Sequence, residues 1–309
     1  MKIALDVMGG DFAPQNPIGG VKLALESLPA ITKLFLVGVP AAIEQELKKQ
    51  GISSPKLEII PASQVVEMSD SGIDAVRKKK DSSISVAVDL VKDGKADAVV
   101  SAGHTGAAVT ASLIKLRTLT HIERPAIASI MPSLTKHWVL IDAGANPDSE
   151  PSHLVQNAIM GSVFARHEKG NALCKETGKL LRQTAGINFI GNVEGHDVWE
   201  TPPDVVVCDG FTGNVILKNA EALAHTIFSM VKSEIKSGFW TKIGGLLAKP
   251  AFKRVHTRTN PDEVGGMPLL GLRAMKNAIR QACESIQHQV GPHIEAAATA
   301  HSISLHARS

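Results

Sequence analysis

The chain has 309 residues, of which 44% are hydrophobic and 20% are charged, a balance typical of a globular protein with a large core. It carries 33 Lys and Arg against 30 Asp and Glu, has no tyrosine, and contains only 4% aromatic residues. A nearly neutral chain with so few aromatic side chains for stacking is poorly suited to binding bases. We therefore expect no nucleic acid among its partners.

Cysteine usage and apolar segments bear on the cellular compartment. The three cysteines, Cys174, Cys208 and Cys283, are an odd number without C-x-x-C spacing, which indicates reduced thiols, no disulfide and a cytoplasmic setting. The N-terminus begins with Lys2 and lacks the apolar region of a signal peptide. No segment reaches the roughly 18 to 20 consecutive apolar residues of a spanning helix, so we expect a protein that is neither exported nor transmembrane.

Short runs of Val, Ile and Leu alternate with longer segments of helical spacing. This alternation predicts an α/β fold with a largely parallel sheet flanked by helices. In chain order, the predicted strands cover 2–7, 34–38, 57–61, 98–102, 126–131, 138–142, 187–191 and 205–208. The predicted helices cover 15–27, 40–50, 83–92, 105–116, 153–166, 213–237 and 274–289, with a weaker helix over 295–309. We interpret residues 1–309 as a single α/β domain.

Four predicted strands end in clusters of small and polar residues. The first cluster is Asp6, Gly9, Gly10 and Asp11; the second is Ser101, Gly103, His104, Thr105 and Gly106; the third is Asp142 and Asn146; and the fourth is Asp209, Gly213 and Asn214. Ligands of an open parallel sheet bind at the carboxyl ends of its strands, so we predict that the clusters converge on one cleft. The alternative is that Gly and Asp only terminate the strands.

The second and fourth clusters place small residues where a helix begins, which leaves main-chain N–H groups for a phosphate-sized anion. The sequence has no G-x-G-x-x-G after the first strand and no G-x-x-x-x-G-K-[ST], which disfavours NAD and ATP. It has no H-E-x-x-H, and its histidines are scattered, so we expect no metal. Cys208 could be a nucleophile beside Asp209, but a cysteine at the end of an apolar strand is more often a small buried hydrophobic residue.

Two segments are strongly basic. Arg77, Lys78, Lys79 and Lys80 form a cationic block, which is either a solvated face or a landing site for an acidic partner. Residues 240–258 carry five Lys and Arg and no acid, and Pro250 is predicted to divide them into two short helices. Such an amphipathic hairpin over 238–258 favours contact with an anionic membrane, with dimer packing as the alternative. Its contact residues would be Trp240, Ile243, Leu246, Leu247 and Phe252.

These motifs, in this order, resemble those of the bacterial phosphate acyltransferases of phospholipid synthesis, which make acyl phosphate from acyl-acyl-carrier-protein and inorganic phosphate. The resemblance spans nearly the whole chain. The matching motifs are M-G-G-D (8–11) with A-P (13–14), R-K-K-K-D-S-S (77–83), S-A-G-H-T-G (101–106), D-A-G-A-N (142–146), I-M-G-S-V (159–163), K-G-N (169–171), N-F-I-G-N (188–192) and D-G-F-T-G-N-V (209–215).

The resemblance implies an α/β fold shared with isopropylmalate dehydrogenases and phosphotransacetylases, with a protruding amphipathic helical hairpin. It also implies a homodimer and peripheral attachment to the inner face of the cell membrane, and we expect no cofactor. By the family's motifs, Lys169 would attract phosphate or the oxyanion, Asp209 would orient the reactants or accept a proton, and Asn214 would donate at the helix start. The residues alone leave open a capping role for Asp209 and Asn214 and a solvent-facing Lys169.

Rival functions remain open. One is a phosphotransacetylase acting on coenzyme A thioesters, and another is a dehydrogenase of the same fold. A third is a non-catalytic, membrane-associated scaffold for proteins of lipid synthesis.

The chain also departs from the family pattern. His104 stands where the family usually has Asn, which makes a donor at this position dependent on tautomer and protonation. Two segments are missing, a strand between Arg166 and Lys169 and a strand and loop between Leu272 and Ala274. Because loss of a central strand should disrupt a core, we hypothesise that the sequence joins segments across omitted residues at both places.

Overall fold

The computed structural model describes residues 1–67, 69–133, 136–165, 180–181, 184, 186–191, 193, 195, 197–200, 202–259 and 272–306. The chain forms two compact units, one of residues 1–125 and 264–309 and one of residues 126–263. Both units combine strands with flanking helices, which confirms the α/β class. A single catalytic domain made of both units stays a prediction.

The first unit contains a four-stranded parallel sheet in the order β3–β2–β1–β4. Its strands are β1 (Lys2–Asp6), β2 (Lys33–Gly38), β3 (Leu57–Pro61) and β4 (Ala98–Ser101). Its helices are α1 (Gln15–Ser27), α2 (Pro40–Lys49), α3 (Gly72–Lys78), α4 (Ser83–Lys92), α5 (Thr105–Leu116), α10 (Leu272–Gln287) and α11 (Val290–His306). The inner strands are buried because α1 and α10 supply Ile18 and Ile279 to the same core as Leu5 and Leu36.

The second unit contains a three-stranded sheet in the order β5–β6–β7. Its strands are β5 (Ala128–Met131), β6 (Trp138–Ile141) and β7 (Val205–Val207), and its helices are α6 (Pro151–Ala165), α7 (Asp197–Glu200), α8 (Gly210–Ser237) and α9 (Phe239–Thr259). Strands β6 and β7 are parallel, whereas β5 runs antiparallel to β6. The sheet is therefore largely but not wholly parallel.

The structure corrects the predicted strand over 187–191. These residues are described, and only Phe189 takes part in an isolated bridge. The segment is half exposed, with Ile190 48% accessible. Its short apolar run therefore lacks the cover on both faces that a buried parallel strand needs.

The predicted break at Pro250 is also wrong. Helix α9 continues through Pro250 from Phe239 to Thr259. Proline removes one N–H donor to the carbonyl group four residues earlier, that of Leu246, and Leu246 is exposed, so water can satisfy that carbonyl. The two arms of the hairpin are α8 and α9, and a Cβ on Gly245 would lie 2.3 Å from Ile235 Cγ2, so the arms approach closely.

The two junctions with missing family segments differ in what the structure describes. Arg166 and His167 lie outside the described residues. Leu272 and Arg273 are consecutive residues of α10, and the hypothesis of omitted residues at that junction stays a prediction. In the part of the chain described above, none of the helices is both long enough and apolar enough to cross a membrane.

Candidate active site

The loops after β1 and β4 meet around the carboxylate of Asp6. Ser101 Oγ donates to Asp6 Oδ2 at 2.7 Å, and the main-chain N–H of Met8 donates to Asp6 Oδ1 at 3.2 Å. The N–H of Gly103 donates to Ser101 Oγ at 3.0 Å. Because β1 and β4 are parallel neighbours with Asp6 opposite Ser101, both loops leave the sheet at the same edge.

Glycines allow these loops to touch backbone to backbone. A Cβ on Gly9 would lie 2.6 Å from Asp6 Oδ2 and 2.7 Å from the nitrogen of Gly103. A Cβ on Gly10 would lie 2.8 Å from the carbonyl oxygen of Ala102, and Gly10 has a φ of +95°. The structure thus brings together Asp6, Gly9, Gly10, Ser101 and Gly103, as predicted, whereas Asp11 is exposed.

Burial dominates the electrostatics of Asp6. Its side chain is buried away from water, which raises the pKa of its carboxyl group above the usual value, although hydrogen bonds from Ser83, Ser101, Met8 and Gly9 oppose the rise. Ser83 was predicted as the start of α4, but not as a hydrogen-bond partner of Asp6. Its signal in the sequence is a pair of serines ahead of an apolar helical run, which is typical of a helix start.

His104 caps helix α5. Its Nδ1 accepts a hydrogen bond from the main-chain N–H of Ala107 at 3.2 Å, so the cap requires an unprotonated Nδ1 and a neutral ring. Gly106, in the first turn, approaches the start of α3, since a Cβ on Gly72 would lie 2.7 Å from its carbonyl carbon. Thr105 and Gly106 are both exposed at this helix N-terminus.

In the second unit, the buried carboxylate of Asp142 organises the loop that follows β6. Asp142 Oδ1 accepts from the N–H groups of Ile127, Gly144 and Ala145 at 2.9 to 3.1 Å. Asp142 Oδ2 accepts from the N–H of Asn146 at 2.8 Å and from its Nδ2 at 2.9 Å. With five donors on two oxygens, Asp142 holds loop 142–146 in one conformation.

The loop after β7 interlocks with this one. The N–H of Gly210 donates to the carbonyl oxygen of Asn146 at 2.8 Å. A Cβ on Gly213 would lie only 1.9 Å from the carbonyl oxygen of Asp142, so glycine is needed at this contact. The third and fourth predicted clusters are therefore in direct contact within the second unit.

Asp209 caps helix α8, which begins at Gly210 rather than at the predicted Gly213. Asp209 Oδ1 accepts from the N–H of Thr212 at 2.9 Å, and Oδ2 accepts from Thr212 Oγ1 at 2.7 Å. Asn214 is the fifth residue of this helix, so it lies beyond the capping positions left open for it. Its Cγ would be 3.6 Å from a Cβ on Gly144, which places Asn214 against loop 142–146.

Cys208 lies beneath these loops as a buried thiol. Burial, together with the charges of Asp209 and Asp142, raises the pKa of Cys208 to about 12. Its Sγ donates to the carbonyl oxygen of Asp142 at 3.6 Å. Because this thiol stays protonated, the interpretation of Cys208 as a small buried hydrophobic residue is favoured over its interpretation as a nucleophile.

The four residues of the cationic block differ in exposure and in ion pairing. Lys79 Nζ is 2.6 Å from Asp70 Oδ2 and donates to the carbonyl oxygen of Val65 at 2.9 Å. Arg77, Lys78 and Lys80 are exposed, and Lys78 Nζ is 3.8 Å from Asp74. Only part of the block is therefore open to an acidic partner.

Helix α9 turns large apolar side chains to the surface. Trp240, Leu246 and Leu247 are each more than 70% exposed. Ile243 and Phe252 are partly exposed, and α8 adds exposed Ile227 and Met230. Apolar exposure on this scale is typical of a surface that is covered in function.

Two parts of the predicted site stay untested. Lys169 lies outside the described residues. The first two clusters belong to one compact unit and the last two to the other, so convergence of all four on one cleft stays a prediction. The structure adds Ser83 and Gly72 to the residues that shape the loops.

The fold is that of the phosphotransacetylases. A crystal structure of a phosphotransacetylase from Streptococcus pyogenes matches with a TM-score of 0.53 and 19% sequence identity, covering 73% of this chain and 82% of that one. At this identity the match shows the fold alone.

Sequence relatives define the family. The family model described as "Fatty acid synthesis protein" matches residues 1–167 and 165–306, and the chain belongs to this family. A phosphate acyltransferase from Akkermansia muciniphila is 44% identical over 331 residues, covering 96% of this chain and 95% of that protein. One from Geotalea uraniireducens is 44% identical over 322 residues, covering 94% and 92%. The longer of these alignments exceeds the 309 residues of this chain, so the Akkermansia relative has residues without a counterpart here.

Proposed function

We propose that this protein is an acyltransferase that moves a fatty acyl group from acyl-acyl-carrier-protein to inorganic phosphate, giving acyl phosphate for phospholipid synthesis. The observation that carries the proposal is 44% identity, over 96% of the chain, to a protein named phosphate acyltransferase. The exposed start of helix α5 at Thr105 and Gly106 supports it, because the main-chain N–H groups of a helix N-terminus can bind an anion.

The reaction needs no covalent enzyme intermediate. A phosphate oxygen attacks the thioester carbonyl carbon, a C–O bond forms, the C–S bond breaks, and the sulfur leaves with the electron pair and takes up a proton. A thiol with a pKa of about 8.5 is a good leaving group. Phosphate, with a second pKa of about 6 to 7, is largely dianionic at neutral pH. The protein must therefore bind phosphate, hold it against the carbonyl and stabilise the oxyanion.

The loops of the first unit suit the binding of phosphate or the oxyanion. Asp6 and Ser101 fix the loop backbones, and helix α5 begins beside them with Thr105 and Gly106 exposed. A helix N-terminus presents unpaired N–H groups and the positive end of its dipole. Asp6 itself is buried, so we assign it to positioning the loops rather than to contact with the anion.

The catalytic roles of Lys169, Asp209 and Asn214 are part of the proposal. Lys169 would attract phosphate or the oxyanion, and Asn214 would donate a hydrogen bond beside loop 142–146. Asp209 would orient the reactants through the start of α8, where its carboxylate caps the helix. Lys169→Ala should abolish most acyl-phosphate formation and leave the urea midpoint unchanged, with Lys95→Ala as the exposed control; near-normal turnover would remove Lys169 from the mechanism.

The decisive experiment gives the purified protein acyl-carrier thioester with and without inorganic phosphate and measures acyl phosphate. Phosphate-dependent release of free carrier thiol together with acyl phosphate is the expected result. Equal or better turnover with the coenzyme A thioester would favour the phosphotransacetylase. Carrier binding without any acyl phosphate would favour the non-catalytic scaffold.

We also propose a cytoplasmic homodimer attached peripherally to the inner face of the cell membrane, with the exposed apolar face of α9 as the contact. Anionic vesicles should pellet the wild-type protein, because basic residues alternate with apolar ones along α9. Leu246→Glu should reduce the pelleted fraction. Unchanged pelleting with a shift from dimer to monomer in sedimentation would assign this face to the subunit interface instead.

A further inference from the structure

The outward face of helix α5 is apolar and uncharged. Helical spacing of 100° per residue defines the stripe that lies opposite the buried residues Ala107 and Ala111. This stripe consists of Thr105, Gly106, Val109, Leu113 and Leu116, of which Val109 is half-buried and the others are exposed. Leu113 and Leu116 are 42% and 38% exposed. Surface helices usually turn charged residues to water on this face, so the stripe is suited to an apolar ligand.

The one charged residue of α5 lies off this stripe. Lys115 Nζ donates to the carbonyl oxygen of Ser85 at 3.0 Å and to Asp89 Oδ2 at 2.6 Å, and both partners belong to α4. The stripe therefore carries no cation for an acidic partner.

The stripe begins at the loop that is the candidate anion site and has the length of a fatty acyl chain. With a rise of 1.5 Å per residue, Leu113 and Leu116 lie about 12 and 16 Å beyond Thr105 along the axis. An extended chain of sixteen carbons, with C–C bonds of about 1.5 Å in a zigzag, spans roughly 19 Å. A six-carbon chain spans roughly 6 Å by the same geometry and ends before Leu113.

We propose that Val109, Leu113 and Leu116 form the subsite for the acyl chain, with the thioester carbonyl at the start of α5. The inference rests on the proposed acyl transfer. A second copy of the chain is the competing occupant, but Leu113, Leu116 and the neighbouring Ile114 together expose on the order of 200 to 300 Å², against about 800 Å² per partner in a stable interface.

The test compares carrier thioesters of sixteen and six carbons in the wild type and in Leu113→Ser. We expect kcat/KM to fall about 5- to 20-fold for the long chain and less than 2-fold for the short one, because only the long chain reaches Leu113. Ile114→Ser is the matched control, since Ile114 is 53% exposed on the same helix but lies about 100° away from Leu113. It should leave the ratio of the two kcat/KM values unchanged.

Equal losses for both chain lengths, or the same change of ratio in Ile114→Ser, would overturn the subsite. A change of oligomeric state in Leu113→Ser would assign the stripe to a second copy. Binding of both carrier thioesters, measured without phosphate, tests the subsite independently of turnover. We expect the Kd of the long-chain thioester to rise about 5- to 20-fold in Leu113→Ser. If the wild type makes no acyl phosphate, the proposed reaction fails, and this binding ratio still decides the subsite.

Discussion

Asn146 donates to Asp142 twice, from its main-chain nitrogen at 2.8 Å and from its side-chain Nδ2 at 2.9 Å, and both bonds end on the same carboxylate oxygen. The other oxygen accepts three further N–H groups. The carboxylate therefore accepts hydrogen bonds from four main-chain N–H groups. This arrangement fixes loop 142–146 from within.

Replacing this carboxylate by an amide should be costly. In Asp142→Asn, the new NH₂ group faces at least two N–H donors whichever way the amide is turned. We expect the free energy of unfolding to fall by about 2 to 4 kcal/mol in urea. Glu234→Gln, which changes an exposed carboxylate of the same unit, should stay within about 0.5 kcal/mol. Equal urea midpoints for both variants would contradict the role of Asp142.

Gly213 should not tolerate a side chain. In Gly213→Ala, the Cβ would meet the carbonyl oxygen of Asp142 at 1.9 Å, and neither backbone can shift without disturbing the other loop. We expect a loss of about 3 kcal/mol or more, measured by thermal or urea unfolding. Gly244→Ala is the control, because no atom lies within 4 Å of its Cβ and a helix gains about 0.5 to 1 kcal/mol from the change. A stable Gly213→Ala protein would refute the close contact.

The thiol of Cys208 should be inert in the folded protein. A pKa of about 12 makes the thiolate at pH 8 about 1000-fold rarer than for a thiol with the ordinary pKa of 9. Mass spectrometry of individual peptides should therefore find Cys208 unmodified after brief treatment with iodoacetamide at pH 8, and fully modified in urea. Cys208→Ala should keep most acyl-phosphate formation. If the variant makes no acyl phosphate, Cys208 acts as a nucleophile after all.

Neighbouring lysines of the cationic block should behave differently. Lys80→Glu reverses an exposed charge and should lower kcat/KM for carrier-bound thioester about 3- to 10-fold at low salt, with little effect on a coenzyme A thioester. Lys79→Met removes the contact with Asp70 and should lower the urea midpoint instead. If both thioesters respond equally to Lys80→Glu, the block is not a docking site for the carrier protein.

The buried carboxyl group of Asp6 predicts a specific pH dependence of stability. Its pKa is raised in the folded state, so the folded protein binds more protons than the unfolded chain between the two pKa values. The contribution of Asp6 is fully present below its unfolded pKa, near 3.8, and is lost as the pH rises through the folded pKa. The difference in free energy of unfolding between wild type and Asp6→Asn should therefore move in favour of the variant with rising pH. A difference that moves the other way would show that hydrogen bonding outweighs burial.

Much of the fold could be predicted because periodicity and boundary residues agree. Helices α1, α4 and α5 begin and end at the predicted residues, and each strand except 187–191 was placed to within two residues. Helix α3 was missed because it has only seven residues and its last turn contains charged residues of the cationic block. So short a helix shows little apolar periodicity in the sequence. The antiparallel β5 could not be predicted, since direction depends on the path of the connecting chain.

The site could be predicted only as residue types at strand ends. Gly and Asp after a strand indicate a loop that can approach a ligand, and the structure places Asp6 with Gly9 and Asp142 with Gly213. Each carboxylate could contact a ligand or accept hydrogen bonds from its own loop. Which of the two it does depends on backbone geometry that the spacing of residues in the sequence does not encode. For Asp209, the start of α8 at Gly210 makes its carboxylate a helix cap, because it accepts a hydrogen bond from the N–H of Thr212.

The hydrogen bond between Ser101 and Asp6 joins residues that are 95 positions apart in the sequence. Contacts at such separation form only after the intervening chain has condensed, because closing a long loop is entropically costly. A nascent polypeptide on the ribosome would consequently lack the contact between these two loops until β4 had emerged from the exit tunnel. Burial of Asp6 during renaturation would thus report on completed topology rather than on local helix formation.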